Sequence, residues 1–76
     1  MKEKDIIIDP AIRFGKPTIR GTRITVEETL GFLAAGMSFE EIQAEYGLVK
    51  EQVRAAIRYV EGWIHDETIS TYAVPA

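Results

Sequence analysis

One local signal occurs twice within a short stretch, and it constrains this chain more than any other feature. Thr25-Val-Glu-Glu28 and Ser38-Phe-Glu-Glu41 both have the capping-box form, a hydroxyl followed three residues later by Glu. In each, the hydroxyl can accept from an orphan N–H while the carboxylate reaches back to the first residue. Val26, Leu30, Leu33 and Met37 follow the first box at helical spacing, and Gly36 is placed to stop that helix. The second box then opens a short helix from about Phe39 to Glu45, closed by Gly47. A third helix is expected from near Lys50 to His65. Val53, Ile57, Val60 and Ile64 share one face of it, with Ala56 and Trp63 beside them.

The part before the helices is of another kind. Asp5-Ile-Ile-Ile-Asp9 is β-branched and ends at Pro10, which predicts a short edge strand. Phe14 to Val26 is punctuated by Gly15, Pro17 and Gly21, and reads as loop and short strand turning at Gly21. The expected organisation is a β arm and basic segment over 1–25, a three-helix core over 26–65 and a tail over 66–76. The expected fold is mainly α, a homeodomain-like or winged-type helix-turn-helix with a short N-terminal β arm.

Composition narrows the function classes. A 76-residue chain without cysteine has neither disulfides nor thiol chemistry to support it. The apolar runs are too short for a membrane span or a secretory signal, so a cytoplasmic setting is expected. Net charge is −3 but unevenly spread. Residues 1–26 hold six Lys/Arg against three Asp/Glu, and residues 27–76 hold three against nine. Arg13, Lys16, Arg20 and Arg23 lie in a stretch with no acid. That basic front suits phosphate, an acidic protein surface or simply solvent.

The second and third helices have helix-turn-helix spacing. Ile42, Leu48 and Val53 are expected to pack at an elbow turned by Gly47. The outer face of the third helix (Lys50, Glu51, Gln52, Arg54, Ala55 and Arg58) is then a reading face. Gln52 and Arg54 are residue types that pair with adenine and guanine edges. Gln43 occupies a position where such elbows favour a small residue. Glu40, Glu41, Glu45 and Glu51 repel phosphate, so useful affinity calls on Arg20 and Arg23 of the arm. Spacing alone leaves DNA binding and a non-DNA-binding helical module both open.

Taken together, three segments carry a family resemblance: Gly15-Lys-Pro-Thr-Ile-Arg-Gly-Thr-Arg-Ile-Thr-Val26, Leu33-Ala-Ala-Gly-Met-Ser-Phe-Glu-Glu-Ile42 and Val53-Arg-Ala-Ala-Ile57. The chain closely resembles the domain of unknown function family 433 over about residues 5–62, with Gly21-Thr22-Arg23-Ile24 the most distinctive piece. The resemblance implies a homeodomain-type helix-turn-helix protein. It also implies the antitoxin half of a type II toxin–antitoxin pair of the VapBC kind, a dimer binding a PIN-like ribonuclease toxin and its own operator DNA. The chain departs from the pattern at Val49, where a hydroxyl cap is usual, at Tyr46-Gly47, which lacks the family's proline, and in the tail.

Individual residues have competing uses. Arg20 and Arg23 either contact phosphate or tie the arm to Glu27 and Glu28. Trp63 and Tyr59 suit a core or a partner interface better than a base stack. His65, next to Asp66 and Glu67, has too few ligands nearby for a metal site and reads as a surface histidine near a helix C-terminus, and Glu40, Glu41 and Glu45 read as a solvated face. No motif of catalysis, cofactor, metal or small-molecule binding is present, so a non-enzyme is expected. Apolar surface in excess of what three short helices can hide points to a homodimer, with Trp63, Ile69, Tyr72 and Val74 as partner-binding residues. The alternating tail can add as a strand to a partner's sheet. The candidate DNA contacts are Arg20, Arg23, Lys50, Gln52, Arg54 and Arg58. The rival readings are a protein-interaction module that does not touch DNA and a stand-alone transcriptional regulator.

Overall fold

The computed structural model describes residues 4–63. Strand β1 (Ile6–Ile7) pairs antiparallel with β2 (Thr18–Ile19), with Ile6 opposite Ile19 and Ile7 opposite Thr18. Three helices follow: α1 (Val26–Ala34), α2 (Phe39–Tyr46) and α3 (Lys50–Trp63). This is the mainly helical fold with a short β arm that the sequence predicts, although the arm strand is shorter than Asp5–Asp9.

Both capping boxes form. The Thr25 hydroxyl accepts from the Glu28 N–H at 3.0 Å while the Glu28 carboxylate accepts from the Thr25 N–H at 3.0 Å. Ser38 and Glu41 repeat the exchange at 3.1 and 2.8 Å. At the end of α1 the chain turns left-handed at Gly36, with φ +92. There the Met37 N–H returns to the Phe32 carbonyl and the Gly36 N–H to Leu33, closing the helix. Gly47 closes α2 with φ +76, a backbone shape costly for residues with a Cβ.

The expected turn at Gly21 makes a second, tighter hairpin. The Ile19 N–H donates to the Ile24 carbonyl and the Val26 N–H to Pro17, so β2 leads straight into the α1 cap. The longer connection from β1 to β2 contains a turn, Arg13–Gly15, that the sequence did not announce. Arg13 and Phe14 both take positive φ, 50° and 60°. Such left-handed residues cost about 1–3 kcal/mol each unless the surroundings impose them.

The strands and helices share one core. Ile6, Ile19, Val26, Ile42, Leu48, Val53, Ala55 and Ala56 are buried, with α3 packed against α1, α2 and both strands. Ile42, Leu48 and Val53 are wholly buried at the elbow, as their spacing predicts. The buried seam of α3 is rotated from the expected one. Ala55 and Ala56 are at 0 % exposure while Ile57 is 38 % exposed and Trp63 60 %. Two small side chains let α3 approach its neighbours closely, and that seats the helix on its alanines. Ala55 therefore leaves the reading face, and Trp63 is not a core residue. Buried Thr18 and Thr29 bond the Lys16 and Thr25 carbonyls, so these hydroxyls carry no orphaned polar atom.

Candidate nucleic-acid interface

The candidate contacts fall into two regions, the basic segment and the start of α3. In the basic segment the guanidinium of Arg20 donates twice to the Lys4 carbonyl, at 2.9 and 2.7 Å. The bonds pin the arm while the partner is neutral, so Arg20 keeps its uncompensated charge at the surface. Arg23 is exposed, and its side chain makes no hydrogen bond or ion pair among the described residues; its carbonyl accepts from Arg13 at 2.6 Å.

Neither Arg20 nor Arg23 ties the arm to α1. Arg13 does so, meeting Glu28 with two parallel bonds of 3.0 Å. Lys16 adds a looser pair with Glu27 at 3.8 Å. The Arg13 bonds, with those from Thr25, hold the Glu28 carboxyl down at about 2 against its usual 4.5, over an opposing cost of desolvation. The same Glu28 bond raises Arg13. The fork of Arg13 also stabilises the left-handed turn from which it projects. Sequence pattern could place Glu28 in a cap but carried no signal for a partner fifteen residues upstream.

At the start of α3, Lys50 lies over the Phe39 ring, its Nζ 5.5 Å from the centroid. Arg54 is exposed and without a polar partner among the described residues. Arg58 lies exposed beside Glu51 at 3.3 Å. Gln52 is half-buried, and its side-chain oxygen accepts from the Val49 N–H at 2.9 Å. It thus supplies one half of a capping box where Val49 has no hydroxyl to supply the other. Its amide N–H groups remain donors toward solvent. Gln43 points outward on α2, so the elbow closes without a small residue there. Above it, Phe32 and Tyr46 stack with centroids 4.0 Å apart, locking α1 to α2.

Residues 6–60 match the model of the family described as "protein of unknown function (DUF433)". The chain belongs to the DUF433 family. It is 31% identical over 55 residues to the "putative antitoxin VapB45" of Mycobacterium tuberculosis, an alignment covering 72% of this chain and 23% of that protein. The crystal structure of a DUF433 member from Anabaena variabilis superposes with a TM-score of 0.70 at 36% identity, over 76% of this chain and 58% of the other. That of Rv2018 from Mycobacterium tuberculosis gives 0.65 at 31% identity, over 74% and 27%. The chain thus spans about a quarter of the length of its curated relative. Ile69, Tyr72, Val74 and His65 lie outside the described residues. Within residues 4–63, no group of three His, Cys, Asp or Glu side chains could hold a metal ion, and no helix is long and apolar enough to cross a membrane.

Proposed function

We propose that this DUF433 chain is a non-enzymatic, cytoplasmic antitoxin of a type II toxin–antitoxin pair. It binds a PIN-like ribonuclease toxin and, as a dimer, its own operator DNA. The observation that carries the reading is the 31% identity to a protein named as a putative antitoxin, over 72% of this chain. The geometry is in keeping with it. Arg54 stands exposed two turns from the elbow glycine with its charge uncompensated, and Lys50 lies one turn before it. In this reading Arg54 contacts a base edge, Lys50 and Arg58 flank it on phosphate, Gln52 donates its amide, and Arg20 and Arg23 hold the backbone from the arm.

Co-expression with the product of the adjacent gene, followed by mobility shifts on the chain's own promoter fragment at rising salt, tests both parts. The expected outcome is a stoichiometric protein complex and DNA binding that weakens steeply with salt. Absence of both outcomes overturns the reading. A second reading, a protein-interaction module that leaves DNA alone, is favoured by the exposed carboxylates Glu40, Glu41 and Glu45 on α2. It predicts the protein complex with no retained DNA.

A further inference from the structure

The rotation of α3 that seats Ala55 and Ala56 in the core turns a large apolar side chain outward. Ile57 is 38 % exposed. Lys50, Arg54 and Ile57 follow one another along α3 at i, i+4 and i+7, which puts all three within an arc of about 60°. Each of them is exposed, so they form one open stripe. Local structure gives no reason for isoleucine at this position. The seam is closed by Ala55 and Ala56, and a β-branched residue is a poorer helix former than Ala, Lys or Glu. The other large apolar side chains exposed among the described residues lie elsewhere: Ile8 and Phe14 in the arm, Tyr46 and Val49 at the elbow, and Trp63 at the end of α3. Ile57 stands on the stripe of the two cations.

We propose that Ile57 reads the 5-methyl group of a thymine beside the base that Arg54 meets. The inference rests on the DNA reading of α3 proposed above and adds a base identity to it. Charge favours DNA as the partner of this stripe, because Lys50 and Arg54 have no acid paired with them among the described residues. The major groove presents hydrogen-bonding atoms from every base and one apolar group, the thymine methyl. An isoleucine neither donates nor accepts, so against any other base edge it would displace water from a polar atom and leave that atom without a partner. Against a methyl it buries carbon on carbon. Arg54 and Ile57 are about 4.5 Å apart along the helix axis, close to the step of about 3.4 Å between successive bases, so the two side chains suit neighbouring base pairs. Glu61, the next residue on the stripe, repels phosphate, so the base-facing part of α3 ends at Ile57.

Two forms of the chain's own promoter fragment test the inference, one ordinary and one with every thymine replaced by uracil. Uracil keeps the phosphates and the hydrogen-bonding edges and lacks only the methyl. Mobility shifts with the full chain at a single salt concentration give a dissociation constant for each form. The wild type is expected to bind the uracil form about four-fold more weakly for each methyl that Ile57 meets. Ile57→Ser is expected to bind the thymine form more weakly and to bring the ratio of the two constants down toward one. Equal binding of both forms by the wild type overturns the inference and leaves the DNA reading standing. A thymine preference undiminished in folded Ile57→Ser also overturns it, since the methyl is then met elsewhere. If neither form is bound, the DNA reading itself fails, this inference fails with it, and the stripe belongs to a protein partner. Should the melting curve show that Ile57→Ser does not fold, Ile57→Val decides. Loss of its far methyl should lower the ratio, and an unchanged ratio overturns the proposal.

Discussion

The basic segment and the start of α3 contain the same kinds of side chain and commit them within the fold to different extents. Between residues 13 and 20, three cations are committed within the fold: Arg13 to Glu28, Lys16 to Glu27 and Arg20 to the Lys4 carbonyl. On α3, Arg54 is left to the solvent and Lys50 rests on an aromatic ring. A count of charges along the sequence makes the first region look like the better phosphate site. In the proposed DNA reading Arg13 is the guanidinium the fold uses up, while Arg20, Arg23 and Arg54 face no acid among the described residues, and an ion-paired guanidinium offers less to an incoming phosphate than one without an acid. The lesson is that basic residues next to a cap carboxylate are candidates for structure before they are candidates for binding.

The sharpest way to break the comparison is to remove the platform on which the α3 cations stand. Leu48 is wholly buried at the elbow between α2 and α3. Leu48→Ala is expected to cost about 3 kcal/mol, within the 2–5 kcal/mol range for buried leucines, and to unfold much of so small a domain at 37 °C. Urea denaturation followed by circular dichroism checks it. A cost below about 1 kcal/mol would mean the elbow does not depend on this contact.

The two regions are contrasted directly by Arg13→Ala and Arg54→Ala. Arg13→Ala removes a two-pronged pair and a bond to the Arg23 carbonyl, and is expected to lower the melting temperature measurably. Arg54→Ala should change stability by less than about 0.5 kcal/mol yet weaken operator binding by about 1–3 kcal/mol at the matching base. Denaturation and titration on promoter DNA read the two effects separately. Equal operator binding by wild type and Arg54→Ala would remove α3 from the DNA reading.

How far these roles were legible depends on the range of the interaction behind each. Caps, stops and the elbow were legible, because Thr25–Glu28, Ser38–Glu41 and Gly47 act within four residues. The rotation of α3 was not. Counting apolar positions favours Ile57 over Ala55, and only the close approach of α3 to the strands reveals that small residues fill the seam. The Arg13–Glu28 fork and the left-handed Arg13–Phe14 turn were illegible for the same reason, since each depends on the arm folding back over α1. For the candidate site, the sequence correctly put Arg54 on the outside, but it had no means of separating committed arginines from uncommitted ones.

The ion pair can be separated from the rest of the basic segment by pH. Glu28 is held at about 2 in the folded chain against 4.5 ordinarily. A depressed carboxyl stabilises fully above its ordinary value, and the contribution is lost as the pH falls from about 4.5 towards 2. The melting temperature of the wild type should therefore fall more over that window than that of Glu28→Gln, which has no such proton to take up. The difference is modest because the Glu28 side chain is 42 % exposed. Parallel melting curves for the two proteins over that window would show Arg13 and Glu28 to be uncoupled.

Gln52 belongs to both halves of the comparison, and the smallest effect separates them. Its oxygen caps α3 through the Val49 N–H, while its amide protons face the surface proposed to meet DNA. Gln52→Glu keeps a cap acceptor and adds a negative charge at the positive end of the helix, so stability should hold or rise by a few tenths of a kcal/mol. The same carboxylate would repel phosphate and accept where the glutamine donates, so operator affinity should fall. Gln52→Ala instead loses the cap, costing about 0.5 kcal/mol, and loses the donor with it. A residue that only caps would show stability falling with Ala and DNA binding indifferent to Glu. A residue that also reads would show binding falling with Glu while the melting temperature does not, a combination that loss of structure alone cannot produce.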